Sequence, residues 1–306
     1  MTSSHYRGRF APSPSGPLHF GSLVAALGSF LESRRQGGKW LLRMEDLDTP
    51  RCSKNAADEI LRTLEAFGFI WDEPVVWQSQ RQEAYATALE QLKRGGSVFG
   101  CACTRRELAD SSLTADGAAR YPGTCRDGLP PGKAARAWRF KVGGARIAFT
   151  DGIQGRIDCT LDTEVGDFVL LRADGIYAYQ LAVVIDDAAA GITHVVRGAD
   201  LLASTPRQIV LQQALGLPTP AYAHLPVALD ARGEKLSKQT LAAALDGSAA
   251  VPMLVAALAF LGQKPPPWLE QVTLNELWTW ATEQWSPGQV PRANSLRCPT
   301  IPAGNG

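Results

Sequence analysis

Two short segments, separated by most of the chain, restrict the fold more than any other feature: Ser13-Pro14-Ser15-Gly16-Pro17-Leu18-His19-Phe20-Gly21-Ser22 and Lys235-Leu236-Ser237-Lys238-Gln239. The first joins a predicted strand, Tyr6 to Ala11, to a predicted helix from Ser22 to Gln36 that carries Leu23, Val24, Leu27, Phe30 and Leu31 on one face. A helix beginning there aims its free N–H groups and positive dipole end at whatever lies over the sheet, which makes an anion site. Gly16 and Gly21 let a bound nucleotide approach the backbone without a Cβ in the way. The second segment sets two lysines three residues apart in a short loop preceded by Gly233. Alone, a histidine at a helix start is most often a cap or a core imidazole, and a Lys-x-x-Lys pair is most often solvated. In this order, around alternating strands and helices, they read as two halves of a phosphate site.

The alternation continues with a strand over Lys39–Glu45, after Gly37-Gly38 closes the first helix, and with helices near Ala56–Phe67 and Gln80–Lys93. Such alternation favours a parallel, doubly wound α/β sheet. The pattern changes near Gly95. Residues 97 to 165 hold Cys101-Ala102-Cys103, a Ser/Ala/Gly-rich stretch, Cys125, and short strands at Ala137–Lys141 and Arg146–Thr150, as an insertion would. Alternation returns with Gln180–Ile185, read as a strand, with His194–Arg197, and with a helix over Pro206–Leu215. The remainder reads as mostly helical, interrupted by Pro265-Pro266-Pro267, with a frayed tail from Pro299 to Gly306.

The two segments resemble the HIGH and KMSKS motifs of class I aminoacyl-tRNA synthetases. Arg9-Phe10-Ala11-Pro12-Ser13-Pro14 and Leu42-Arg43-Met44-Glu45-Asp46-Leu47-Asp48 are similar to the glutamate-specific branch. The resemblance implies glutamate binding by Arg9, Ala11, Ser13, Glu45, Tyr179 and Arg197. It implies ATP binding by His19, Gly21, Lys235 and Lys238, with His19 and Lys238 as the catalytic pair. Charge agrees, because glutamate offers two carboxylates to guanidinium groups and one ammonium to a carboxylate. Asp46 and Asp48 are expected to orient the loop leading to Arg51. The match covers about residues 6 to 240, and no anticodon-binding region follows. Val183, Leu236, Gln239 and Ser22 depart from the glutamyl-tRNA synthetase pattern. These features resemble the short paralogous family, the glutamyl-queuosine tRNA(Asp) synthetases, which attach glutamate to the queuosine base at the wobble position. A truncated glutamyl-tRNA synthetase charging a 3′ end is the alternative.

The expected architecture is therefore α/β: a Rossmann-type doubly wound parallel sheet with a zinc-bearing insertion and a helical C-terminal part. Residues 1–96 and 179–230 form the halves of the catalytic domain and 97–178 the insertion. Residues 231–306 hold the KMSKS-like loop and a region resembling a stem-contact domain. Cys101, Cys103, Tyr121 and Cys125 match that family's zinc pattern, with Cys159 as a competitor for the tyrosine's place and Cys52 and Cys298 as ordinary thiols. One structural Zn²⁺ per chain is implied, with ATP as substrate together with Mg²⁺. The formal net charge of +1 excludes a strongly basic protein but not a local basic face. Arg120, Arg126, Lys133, Arg136, Arg139, Lys141 and Arg146 surround Asp127 alone and mark a candidate tRNA surface. No leader-like or membrane-length apolar run occurs, so a cytoplasmic monomer is expected.

Overall fold

Residues along the central strands enter two different cores by turns, and this two-sidedness sets the architecture. The computed structural model describes residues 6–104, 106–108, 120–236 and 243–299. In chain order the strands are β1 (Arg7–Phe10), β2 (Lys39–Met44), β3 (Val76–Trp77), β4 (Val98–Cys101), β5 (Ala137–Phe140) and β6 (Arg146–Asp151). They continue with β7 (Gly155–Thr160), β8 (Phe168–Leu171), β9 (His194–Gly198), β10 (Ala221–Leu225), β11 (Val227–Leu229) and β12 (Ser295–Arg297). The α-helices are α1 (Phe20–Arg35), α2 (Lys54–Ala66), α3 (Gln82–Arg94), α4 (Tyr179–Ala189), α5 (Thr205–Leu215), α6 (Ala250–Phe260) and α7 (Leu274–Gln284).

Parallel pairing joins β1 to β2, β2 to β3, and β9 to β10. The Thr193 N–H donates to the Arg7 carbonyl (3.0 Å) and so holds the start of β9 beside β1. Side chains alternate across a strand. Trp40, Leu42 and Met44 of β2, Val196 of β9 and Leu225 of β10 therefore pack with α1, α6 and α7. Leu41, Val195 and Tyr222 face the opposite way, towards α3, α4 and α5. Helices on both faces of a parallel sheet make the doubly wound arrangement expected from the sequence.

The insertion switches to antiparallel pairing. Strands β4, β5 and β8 form one small sheet, and β6 and β7 form a hairpin. The tip of that hairpin returns to the central sheet: the Gly152 N–H donates to the Tyr222 carbonyl (2.8 Å) and the Gln154 amide to the His224 carbonyl (2.8 Å).

One expectation is corrected. Gln180–Ile185 lies in helix α4, not in a strand. A short apolar run carries no decisive period, and here Asp186 and Asp187 prolong it because both find buried cationic or N–H partners. The C-terminal part contains a strand, β12, parallel to β11, besides α6, α7 and a single-turn helix at Pro267–Gln271. Three residues paired with a strand far along the chain leave no local signal. The expected frayed tail lies outside the described residues from position 300 onward. Among the described residues, no helix is long and apolar enough to cross a membrane.

Helix α1 packs tightly on the sheet. A Cβ at Gly28 would sit 2.6 Å and 3.2 Å from the two methyl groups of Leu225, a side chain with no exposure. Helix propensity alone favours alanine over glycine by about 1 kcal/mol. Overpacking a filled core costs about 1–3 kcal/mol, and rotating Leu225 only exchanges one methyl for the other. Crowding should win. Gly28→Ala is expected to lower stability by about 1 kcal/mol and Gly28→Val by more, read as midpoint shifts in urea unfolding.

Candidate active site

The C-terminal ends of β1, β2, β9 and β10 converge on a cavity of about 890 Å³. That is where an open α/β sheet binds ligands, because the loops leaving its strands splay apart there. Its walls include Arg9, Ala11, Ser13, His19, Gly21, Glu45, Tyr179, Arg197 and Lys235. Every sequence-derived glutamate residue is thus in one chamber, with three of the four ATP residues. Lys238, the fourth, lies outside the described residues.

His19 is the N-cap of α1. Its Nδ1 accepts the Ser22 N–H (3.3 Å), which leaves the ring proton of the neutral form on Nε2. The capping role, the plain reading of this histidine, is therefore present, and it orients the ring. A Cβ at Gly21 would lie 3.2 Å from that imidazole, so the glycine makes room for the histidine itself. Gly16, at φ 149°, is absent from the lining and serves the turn. The chain that follows the lysine segment returns to the start of α1, and the lysine segment itself is tied to the loop after β9. His19 bridges Ala244, the Leu245 N–H donates to the Leu18 carbonyl (2.9 Å), and the Lys235 ammonium reaches Asp200 (2.5 Å).

The end of the cavity that holds Arg9 and Glu45 is an ionic network. Asp187 of α4 accepts from Arg9 (3.1 Å) and Arg43 (2.6 Å), and Arg43 also donates to Glu45 (3.2 Å). Burial pushes the Asp187 carboxyl up, but the two arginines outweigh it and leave it below the usual carboxylate range. Burial dominates at Glu45, whose carboxyl sits above its ordinary value despite Arg43 and Arg9. Next door, Asp186 accepts from Gln78 (2.7 Å), Arg81 (2.5 Å) and the Tyr85 hydroxyl (2.8 Å), which pins α4 to α3. Arg43, Asp186 and Asp187 were not assigned from the sequence. The available signal was an adjacent acidic pair inside an apolar segment, since buried charges require partners. Asp46 holds Ser79 (2.8 Å), whereas Asp48 holds Arg172 (3.1 Å) and Arg51 (3.9 Å). Val183 is buried in the second core and does not line the cavity.

On the opposite wall Arg197 donates to the Tyr179 hydroxyl (3.3 Å), to His224 Nε2 (3.0 Å) and to Thr205 (2.9 Å). Its fan of five donors is held by side chains from three elements.

A second site lies in the insertion. The Sγ atoms of Cys101, Cys103 and Cys125 all lie within 4.8 Å of one another. Cys103 and Cys125 are 3.7 Å apart, and the Tyr121 hydroxyl is 3.5 Å from Cys101 and 3.7 Å from Cys103. Thiolates at a Zn–S distance of about 2.3 Å in a tetrahedron sit about 3.8 Å apart, so the set has metal-site dimensions. Cys159 packs in a different core cluster from these three, which removes it as a rival of Tyr121.

The basic run beside this cluster is less one-sided than its sequence. Arg126 pairs with Asp167, Lys133 with Glu107 (3.2 Å), Lys141 with Asp127 (3.4 Å) and Arg146 with Asp158 (3.2 Å). Arg139 is buried over the Tyr121 ring, 4.2 Å from its centroid. Partners from outside the 120–146 window supply three of these four carboxylates.

The family described as tRNA synthetases class I (E and Q), catalytic domain, matches residues 5–273. A glutamyl-Q tRNA(Asp) synthetase of Aromatoleum aromaticum is 62% identical over 294 residues, covering 96% of this chain and 93% of the relative. One from Dechloromonas aromatica is 60% identical over 97% of this chain and 99% of its own length. Among solved structures, the glutamate-tRNA synthetase of Elizabethkingia anophelis superposes with a TM-score of 0.80 at 27% identity, covering 97% of this chain and 68% of that one. The chain belongs to the class I tRNA synthetases of the glutamate and glutamine branch, and within them to the glutamyl-Q tRNA(Asp) synthetase family.

Proposed function

We propose that the protein activates L-glutamate with ATP and transfers it to the queuosine base at the wobble position of tRNA(Asp). A glutamate carboxylate oxygen attacks the α-phosphorus, an acyl–phosphate bond forms, the bond to the β-phosphate oxygen breaks, and pyrophosphate leaves. The acceptor then displaces AMP. One observation carries the reading: a cavity with an anion-binding helix start on one side and paired guanidinium and carboxylate groups on the other, in a chain similar to glutamyl-Q tRNA(Asp) synthetases over nearly its whole length.

In this reading Arg9 and Arg197 face the substrate carboxylates and Glu45 the ammonium. Ala11 and Ser13 shape the floor between them. The α1 N-terminus, His19 through Nε2–H, Lys235 and Lys238 neutralise charge on the phosphates as it builds in the displacement, and Mg²⁺ accompanies ATP. Positioning and charge compensation supply the catalysis, so no nucleophile from the protein is required. Residues 1–96 and 179–230 then act as the catalytic halves, 97–178 as the insertion, and 231–306 as the part that approaches the tRNA. Radiolabelled glutamate should transfer to tRNA(Asp) bearing queuosine, not to tRNA(Asp) lacking it or to tRNA(Glu). Glutamate-dependent pyrophosphate exchange should proceed with no tRNA present. Labelling of tRNA(Glu) would overturn the assignment in favour of 3′-end charging.

The pH dependence follows from Glu45. An ammonium needs the ionised carboxylate, and this carboxyl is held above its ordinary value by burial. Protonation on acidification therefore removes the partner of the ammonium sooner than an exposed glutamate would. KM for glutamate should rise as the pH falls towards that raised value, while KM for ATP stays level. Glu45→Gln should raise KM for glutamate and flatten its pH profile; a profile unchanged from wild type would exclude Glu45 from the ammonium site.

The Cys101, Cys103, Cys125 and Tyr121 donor set suits Zn²⁺, which when bound would fasten the insertion as a closed structural centre. Metal analysis of tag-free protein should find about one Zn²⁺ per chain. Retention should weaken as the pH falls, because protons compete for the thiolates. A Cys101→Ser/Cys103→Ser double variant should lose the metal while glutamate activation survives better than transfer to tRNA. Full retention in that variant would refute the site.

A further inference from the structure

Arg197 is surrounded by groups that constrain one another. Its Nε–H is a donor with no lone pair, and it points at His224 Nε2, 3.0 Å away. That nitrogen must therefore carry the lone pair, and the ring proton must lie on Nδ1. Nδ1 in turn lies 2.6 Å from Asp151 Oδ2, within a strong hydrogen bond to a carboxylate. Neither the His224 nor the Asp151 side chain has any exposure. Asp151 itself is held by three backbone N–H groups on Oδ1: Ile153 (3.0 Å), Gln154 (2.8 Å) and His224 (3.1 Å).

Charge agrees with this assignment. Burial lowers the His224 pKa, and Arg197 adds to the effect against the hydrogen bond that His224 donates to Asp151, so the ring stays neutral. The Asp151 carboxyl is raised by burial but brought below its usual value by His224 and the backbone donors, so it stays ionised. The residues come from distant parts of the chain: Asp151 ends β6 of the insertion, His224 lies in β10 and Arg197 in β9. The neighbouring Tyr222 ring lies parallel to the imidazole and beneath the guanidinium.

We propose that Asp151 and His224 form a buried relay that fixes the orientation of Arg197, so that the hairpin of the insertion sets the geometry of the amino-acid site. Both are positioning residues. The relay rests on the reading of Arg197 as a glutamate-binding group and extends it to two residues that do not line the cavity.

Asp151→Asn provides the sharp test because it is isosteric. Three N–H groups keep the amide oxygen at the Oδ1 place, so the –NH₂ faces His224 and donates to Nδ1. The ring proton is then driven to Nε2, where it meets the Arg197 N–H, as with an aspartate removed from behind a catalytic histidine. KM for glutamate should rise about tenfold or more, the cost of misplacing a hydrogen bond to a charged group. KM for ATP should stay within about twofold. His224→Gln, whose amide oxygen can take the place of Nε2, should recover most of the loss seen in His224→Leu.

A second readout does not depend on catalysis. The chain has four histidines, so ¹⁵N-histidine labelling of the wild-type protein resolves the imidazole tautomers. The His224 signal, identified by its absence from His224→Gln, should be that of a neutral ring protonated at Nδ1 near pH 7.5. An Nε2-protonated or cationic ring would overturn the relay. So would an unchanged KM for glutamate in Asp151→Asn when Arg197→Ala raises it. If Arg197→Ala itself leaves KM for glutamate unchanged, the glutamate reading of Arg197 falls, and the proposal falls with it.

Discussion

The carboxylate of Asp187, buried between the guanidinium groups of Arg9 and Arg43, is the contact on which the substrate chamber depends. Two arginines enter the sheet interior from β1 and β2, and neither could remain there without a partner. Burying a lone charge is far more costly than any packing gain at that position. Helix α4 supplies the compensating acid, and its neighbour Asp186 ties the same helix to Gln78, Arg81 and Tyr85. A buried pair of this kind contributes little net stability compared with apolar packing. Its consequence here is geometric. Arg9 is held against the chamber wall, and Arg43 is left to steady Glu45.

The helix-start side of the chamber works by a different principle. There the protein relies on backbone donors and a helix start, which need no buried countercharge because they form part of the fold's own hydrogen-bond pattern. His19 belongs to both: as N-cap it completes the α1 terminus, and the same bond fixes which nitrogen carries its proton. Gly21 is the condition for that arrangement, since a side chain would press on the ring. The bridge from His19 to Ala244 brings the chain beyond the lysine segment back to the same helix start, so the two halves of the site share a boundary.

Much of this was legible in the sequence, for reasons that are local. The turn between β1 and α1 is written in contiguous residues; Arg9, Ala11 and Ser13 lie in or beside it, and Glu45 directly follows β2. Helices α2 and α3 show their apolar faces directly, and α1 and α5 show as helical runs. What the sequence concealed is pairing at a distance. Asp151, His224 and Arg197 have no common spacing, and their relation exists only once the β6–β7 hairpin folds back on β10. Helix α4 was mistaken for a strand because Leu181 to Ile185 is too short an apolar run to show a period. The two aspartates that follow would be unfavourable in either conformation without the arginines from elsewhere. The basic run from Arg120 to Arg146 looked more one-sided than it is for the same reason, since Glu107, Asp158 and Asp167 pair with Lys133, Arg146 and Arg126 from outside the window in which charges were counted.

These distant pairings give the insertion two roles of different strength. Through Cys101, Cys103, Tyr121 and Cys125 it closes a compact knot at one end of the β4–β5–β8 sheet, away from the chamber. Through the hairpin tip it reaches the central sheet, where Asp151, Gly152 and Gln154 bond to Tyr222 and His224. Loosening the knot would disturb a surface, whereas moving the tip would disturb the group that holds Arg197. A protein that must handle both a small amino acid and a large RNA gains from that separation. Elements that adjust to the RNA can move without altering the amino-acid site, provided the hairpin tip remains fixed by its backbone donors. The three N–H groups on Asp151 Oδ1 meet that condition: Ile153 and Gln154 donate from the turn itself and His224 from β10, so the carboxylate is tied to both the tip and the central sheet.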